Sequence, residues 1–182
     1  MRAPRLTRRA ALGCFAAAAM VGAASGAAAL PEVVLVNRDG RRARLLGDIW
    51  LDRVAVINFV FTSCSSFCGV QSAVAADLQQ RLGTRMGREV VLLSISVDPL
   101  GDDAARLTAY AKPFAPGPHW WWLTGEPREV YRALDALGVA PGNPQDHAPT
   151  WIVGRAPHPR RIVGLASAAE LERLVIKELA RR

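Results

Sequence analysis

The chain predicts an α/β fold, a central mixed β-sheet flanked by helices on both faces. Three observations lead there. The apolar runs 54–61 and 90–93 read as buried strands, and each is followed by a helical stretch. A late pair of strand-like segments, 150–153 and 161–165, surrounds a turn and adds antiparallel pairing. The chain has 182 residues, 51% hydrophobic and 21% charged, enough for one domain with its own core.

The N-terminus reads as a targeting segment. It carries Arg2, Arg5, Arg8 and Arg9 and no acid, followed by an alanine-rich apolar stretch over 10–24. Ser25-Gly26-Ala27 and Ala27-Ala28-Ala29 each offer a small-x-small cleavage pattern before Leu30-Pro31. Thr7-Arg8-Arg9-Ala10-Ala11-Leu12 resembles a twin-arginine signal, although Ala11 stands where a bulkier residue is commoner. Leu12-Gly13-Cys14 resembles a lipoprotein box, but the apolar stretch follows Cys14 instead of preceding it. An uncleaved anchor would need about 18 apolar residues, and this stretch is short and alanine-rich. The expectation is a signal peptide over 1–29 and a domain over 30–182, periplasmic or otherwise extracytoplasmic. The membrane would be met only through an uncleaved N-terminal segment. The formal charge is 23 − 16 = +7, and without the four leader arginines it is +3. Much of the basicity therefore belongs to export. No Lys/Arg stripe with interleaved aromatics suggests a nucleic-acid partner.

Along the domain, residues 33–36 and 41–46 flank Asn37-Arg38-Asp39-Gly40 and read as a hairpin. Residues 54–61 form the first central strand. A helix is expected over 65–82, with Phe67, Val70, Val74, Leu78 and Leu82 as its apolar stripe. Strand 89–98 ends at Asp98-Pro99. Asp102 or Asp103 caps a helix to about Phe114. Trp120-Trp121-Trp122-Leu123 reads as a strand, and Pro127 opens a helix that Gly138 ends. A last helix covers 168–180.

Chemistry concentrates on Cys64 and Cys68, at the edge where the first central strand passes into its helix. On a helix, residues i and i+4 hold their Cβ atoms ~5–6 Å apart, whereas a disulfide wants ~3.8 Å. An undistorted helix would keep both thiols open, facing a cleft beside the apolar stripe. A helix N-terminus would favour thiolate. Asp146-His147, ahead of the strand at 150, offers a third ligand. Two thiolates and one imidazole form a soft donor set suited to Cu(I), while structural zinc usually takes four protein ligands. Spacing alone leaves a structural disulfide open, as is common for two exported cysteines.

Four blocks in order resemble the SCO/SenC family. They are the run from Val56 through Cys68, Ser94-Ile95-Ser96-Val97-Asp98-Pro99, Leu123-Thr124-Gly125 and Asp146-His147, within a similarity over about 33–180. The resemblance implies a thioredoxin-like fold and copper ligation by Cys64, Cys68 and His147. It also implies delivery of copper to, or preparation of the thiols of, the dinuclear copper centre of cytochrome c oxidase. The implied partners are thus a copper-accepting oxidase subunit and a thiol reductant. The ion would be Cu(I), and imidazole also accepts Cu(II). Family members commonly carry proline after each cysteine, where Ser65 and Gly69 stand here; no ligand is lost. Thioredoxin-like enzymes place a cis-proline before a strand facing their cysteines, and a cis Pro149 would favour thiol exchange.

Three rival readings stand beside the metallochaperone. One is a thiol-disulfide oxidoreductase, with Cys64 as nucleophile and Cys68 as resolving thiol. Another is a disulfide-stapled interaction module. The last is a peroxidase, with Thr62 near the thiol but no arginine close in sequence. Asp98 reads either as an acceptor near the site or as a turn aspartate. His119 reads as a strand-edge residue and His158 as a solvated turn residue. The three tryptophans cannot all face one side of a strand, so at least one belongs to the core.

Overall fold

A computed structural model describes residues 30–140 and 142–181. The expected signal segment 1–29 lies outside the described residues. Seven strands form one mixed sheet: β1 Val34–Asn37, β2 Arg42–Arg44, β3 Val54–Val60, β4 Val90–Ser96, β5 Trp120–Thr124, β6 Thr150–Gly154 and β7 Arg160–Val163. Four α-helices join them: α1 Cys68–Leu82, α2 Ala104–Ala111, α3 Pro127–Ala136 and α4 Ala168–Leu179. The strand order is β2-β1-β5-β4-β3-β6-β7. β3, β4 and β5 run parallel, and the other pairings are antiparallel.

β3 and β4 are buried at all seven of their positions. Such strands need cover on both faces, which explains their largely apolar runs; among the buried exceptions, Asn58 and Ser94 pair with each other, the Ser94 hydroxyl donating to Asn58 Oδ1 at 2.7 Å. The crossovers β3-α1-β4 and β4-α2-β5 step in the same direction across the sheet. With the usual right hand they place α1 and α2 on one face. α4 packs against α1, β3 and β6. α3 packs against β1, and a π-helical turn, Leu45–Trp50, packs against β2 with Ile49 and Trp50 fully buried. Trp120 and Trp122 enter the core with ring centroids 5.0 Å apart. Trp121 points the other way, under the Arg41 guanidinium at 4.5 Å, as strand alternation requires.

Some expectations need correction. The hairpin's second strand ends at Arg44, because Asp48 receives the Arg44 amide and guanidinium and turns the chain into the π-helical segment. α2 stops at Ala111, and Lys112–Phe114 continues as a 3-10 turn. Asp103, not Asp102, caps α2, accepting from the Arg106 amide at 2.7 Å. The helix expected from 65 begins at Cys68, where the first helical bond runs from the Gln71 amide to the Phe67 carbonyl. Its buried face also differs from the expected stripe. Cys68, Gln71, Ser72, Ala75, Leu78 and Leu82 turn inward, while Val70 stays 51% exposed. Small side chains at 72 and 75 let the helix lie close on the sheet.

Candidate functional site

The site lies at the C-terminal edge of the parallel strands. Phe61 follows β3 and is buried, and its carbonyl accepts the Cys64 amide at 3.1 Å. That turn places Cys64 in the loop before α1, half-buried, while Cys68 is the first residue of the helix and fully buried. The expectation that both thiols share a helical face beside the core is thus replaced. Cys68 sits in the core under its own helix turn, and Cys64 reaches over it from a non-helical loop. Both are free thiols.

Their environments split their acidity. Burial pushes the Cys64 thiol up, but hydrogen bonds from the Cys68 and Ser66 side chains outweigh it, and the net direction is down. The Cys64 Sγ–Ser66 Oγ distance is 3.4 Å. Burial pushes Cys68 up to about 12, and the hydrogen bond it gives to Cys64 adds to the rise. The pair is therefore a thiolate-prone sulfur resting on a protonated one.

Asp102, which sequence reasoning considered only as a cap, anchors this loop. It is buried and accepts from the Thr62 amide at 3.1 Å, the Thr62 hydroxyl at 2.6 Å and the Ser96 hydroxyl at 2.6 Å. The start of the cysteine loop is thereby tied to the end of β4. Asp98 is a turn aspartate: its carboxylate accepts the Gly101 amide at 3.0 Å. Tyr110 of α2 lies close enough to feel charge on Cys68, Cys64 and Asp102, though burial is the main cause that lifts its hydroxyl to about 12.

His147 follows the 3-10 turn Pro144–Asp146 and precedes β6, whose start pairs with the end of β3. Its ring packs edge-on against Phe61, with centroids 5.8 Å apart, and against Phe67, 5.0 Å apart. These two phenylalanines bracket the cysteine loop. The His147 Nδ1 lies 2.6 Å from the Pro144 carbonyl. A carbonyl only accepts, so Nδ1 carries the proton and Nε2 of the neutral ring holds a lone pair. That Nε2 is buried with no hydrogen-bond partner among the described residues. Gln71 of α1 donates to the Thr150 carbonyl at 3.2 Å, stitching the strand after His147 onto the cysteine helix. Among the described residues no three Cys, His, Asp or Glu side chains stand preassembled as a metal cluster. The geometry is an open one, a dithiol on one side and an imidazole seated on its flanking aromatics on the other.

The remaining candidates lie elsewhere. His119 is exposed at the opposite edge of the sheet, against Gly87, and His158 is exposed in the β6–β7 turn. The Ala148–Pro149 bond is trans, the cis bond of the described chain being Ala156–Pro157.

A mixed sheet with a cysteine pair between a central strand and its helix defines a thioredoxin-like α/β protein. The SCO1/SenC family model matches residues 25–150. The chain belongs to the SCO1/SenC family. A curated SCO1 protein homolog of Bacillus subtilis (strain 168) is 32% identical over 93 residues, 49% of this chain and 45% of that protein. The chain thus matches less than half the length of that relative. Among solved structures, Arabidopsis thaliana ScoI with copper bound superposes with TM-score 0.68 at 21% identity, covering 85% of this chain and 100% of that one. BsSco superposes with TM-score 0.70 at 21% identity, over 85% and 95% of the two chains. It is described as a member of the Sco family of cytochrome c oxidase assembly proteins, with a disulfide switch.

Proposed function

We propose that the protein is an exported copper carrier that holds its ion with Cys64, Cys68 and His147 and passes it to the copper centre of cytochrome c oxidase. The observation that carries this reading is the His147 Nε2 lone pair, buried and unpartnered, on a ring seated against both ends of the cysteine loop. A buried acceptor without a donor is costly, and a soft ion shared with two sulfurs would satisfy it. Nδ1, fixed on Pro144, orients the ring as partners of ligating histidines do. Copper is the cargo and leaves by ligand exchange when a partner's thiolates or imidazoles enter the open side. The copper-bound Arabidopsis relative and the oxidase-assembly role of BsSco support the choice of ion and acceptor. Residues 1–29 act in this reading as the export signal, placing the domain over 30–182 outside the cytoplasm. Among the described residues no helix is long and apolar enough to cross a membrane.

The test is anaerobic Cu(I) titration of the reduced protein. The wild type is expected to bind one equivalent, His147→Ala to bind at least about tenfold more weakly, and the double variant Cys64→Ala/Cys68→Ala to lose the site. Unchanged stoichiometry and affinity in the double variant would refute the reading.

A second role, thiol-disulfide exchange, is favoured by one observation. The half-buried Cys64 has the lowered pKa and the buried Cys68 the raised one, the division of labour between an attacking and a resolving thiol. A dithiol couple whose exchange rate survives His147→Ala would support it, and a slow, strongly reducing couple would remove it.

A further inference from the structure

The sheet has a second working edge, opposite the cysteines. The loops that lead into β3, β4 and β5 meet there. Arg53 donates to the Gly87 carbonyl at 3.2 Å, and the His119 ring lies on Gly87. The β1–β2 turn joins them through Arg38, which donates to the Pro116 carbonyl at 3.2 Å. This edge gathers Arg38, Arg41, Arg42, Arg53, Arg85 and Arg88 against Asp39, Asp52 and Glu89, a balance of 6 − 3 = +3. Residues 30–182 as a whole also carry 19 − 16 = +3, so the rest of the domain is neutral on balance. The cysteine edge carries Asp98 and Asp103 after β4, Glu126 after β5 and Asp146 before β6 beside Arg106 and Arg128, a balance of 2 − 4 = −2.

Two further features sit on the basic edge. Leu51 is 52% exposed at φ +47°, a backbone conformation that leucine seldom adopts. It is held out by the neighbouring Trp50, which is buried and donates from Nε1 to the Gly154 carbonyl at 3.2 Å. Leu30 lies in a groove with Pro157, His158 and Pro159 of the β6–β7 turn.

We propose that this edge docks on an anionic membrane surface. The exposed guanidinium groups of Arg41, Arg42 and Arg88 would meet headgroup phosphates, with Arg85 leaving its 3.7 Å pairing with Glu89 to join them, while Arg38 and Arg53 stay tied to backbone carbonyls and Leu51 enters the interface between headgroups and acyl chains. Phosphate recognition suits arginine, and clustered basic residues with one projecting apolar side chain match the electrostatics of an anionic leaflet. Seven-residue strands set the cysteine loop roughly 20 Å beyond the basic edge, further than a Debye length of about 8 Å at physiological salt. The cysteines would then face away from the lipid. This inference does not depend on copper binding.

The test uses the full chain with vesicles of phosphatidylcholine alone or with phosphatidylglycerol, followed by hydrogen exchange and by flotation. Anionic vesicles are expected to protect amides at 38–42, 51–53 and 85–89. The variant Arg41→Glu/Arg42→Glu/Arg85→Glu/Arg88→Glu is expected to lower the anionic-over-neutral partition ratio by about tenfold or more, whatever the leader itself contributes. Leu51→Ser should weaken binding while leaving its salt dependence in place. Protection confined to the cysteine edge or to residues before Leu30 would overturn the proposal, as would a wild-type partition ratio in the charge-reversed variant. Should that variant unfold, the exchange pattern of the wild type decides alone.

Discussion

Cys64 and Cys68 are unequal thiols, and the inequality is measurable. Iodoacetamide should modify Cys64 first, because its lowered pKa populates thiolate at a lower pH than for an ordinary cysteine. Cys68, held near 12 and fully buried, should stay unmodified at pH 8 until the protein unfolds. Peptide mass spectrometry across pH 6–9 checks this, and faster labelling of Cys68 would contradict it. Asp102 offers a second residue-scale prediction. Asp102→Ala leaves the Thr62 amide and the Thr62 and Ser96 hydroxyls without their acceptor, at an expected cost of about 2–4 kcal/mol in urea unfolding. Asp102→Asn, which keeps an acceptor, should cost less. The place of the cysteines at the strand-to-helix edge and of His147 just ahead of β6 was legible in the sequence, because these residue types are scarce and their neighbours distinctive. Asp102 was not, since Asp102-Asp103 offers two equal capping candidates and only packing decides which one turns inward. Gln71 gave no signal either: a glutamine within an apolar periodicity reads as surface until a carbonyl from β6 is known to stand opposite.

At the scale of elements, α1 is where expectation and structure part. Its end at Leu82 was legible from periodicity, but its first turn was not. Residues 64–67 provide no side-chain cap, and the Cys64 amide is already committed to the Phe61 carbonyl, so the helix starts late. Gly69, at the second helical position, faces open space. Gly69→Ala should therefore stabilise the protein by about 0.5–1 kcal/mol through lower backbone entropy in the unfolded chain, read as a shift in denaturation midpoint at unchanged slope. α4 shows the opposite case. Ser167 and Glu170 form a reciprocal capping box, the signature that makes a helix start readable. Ser167→Ala should cost about 1 kcal/mol by the same measurement.

For the molecule as a whole, the mixed sheet was legible because β3 and β4 are largely apolar and the last two strands flank a short turn. The order of strands was not, since pairing partners leave no mark in one sequence beyond what the handedness of crossovers permits. The family match ends at residue 150, yet β7 and α4 lie beyond it and α4 buries Ala168, Leu171 and Val175. A chain ended before Ser167 should lose cooperative unfolding, seen as a broad thermal transition by circular dichroism; a sharp one would show that α4 is dispensable. The Gln71–Thr150 bond spans 79 residues of chain, so docking of β6 and the His147 loop onto α1 is a long-range closure of the kind that slows folding. If the protein carries copper as proposed, a copy whose last third had not yet folded would display bare thiols without the imidazole, and capture of the ion by all three donors would certify that folding is finished.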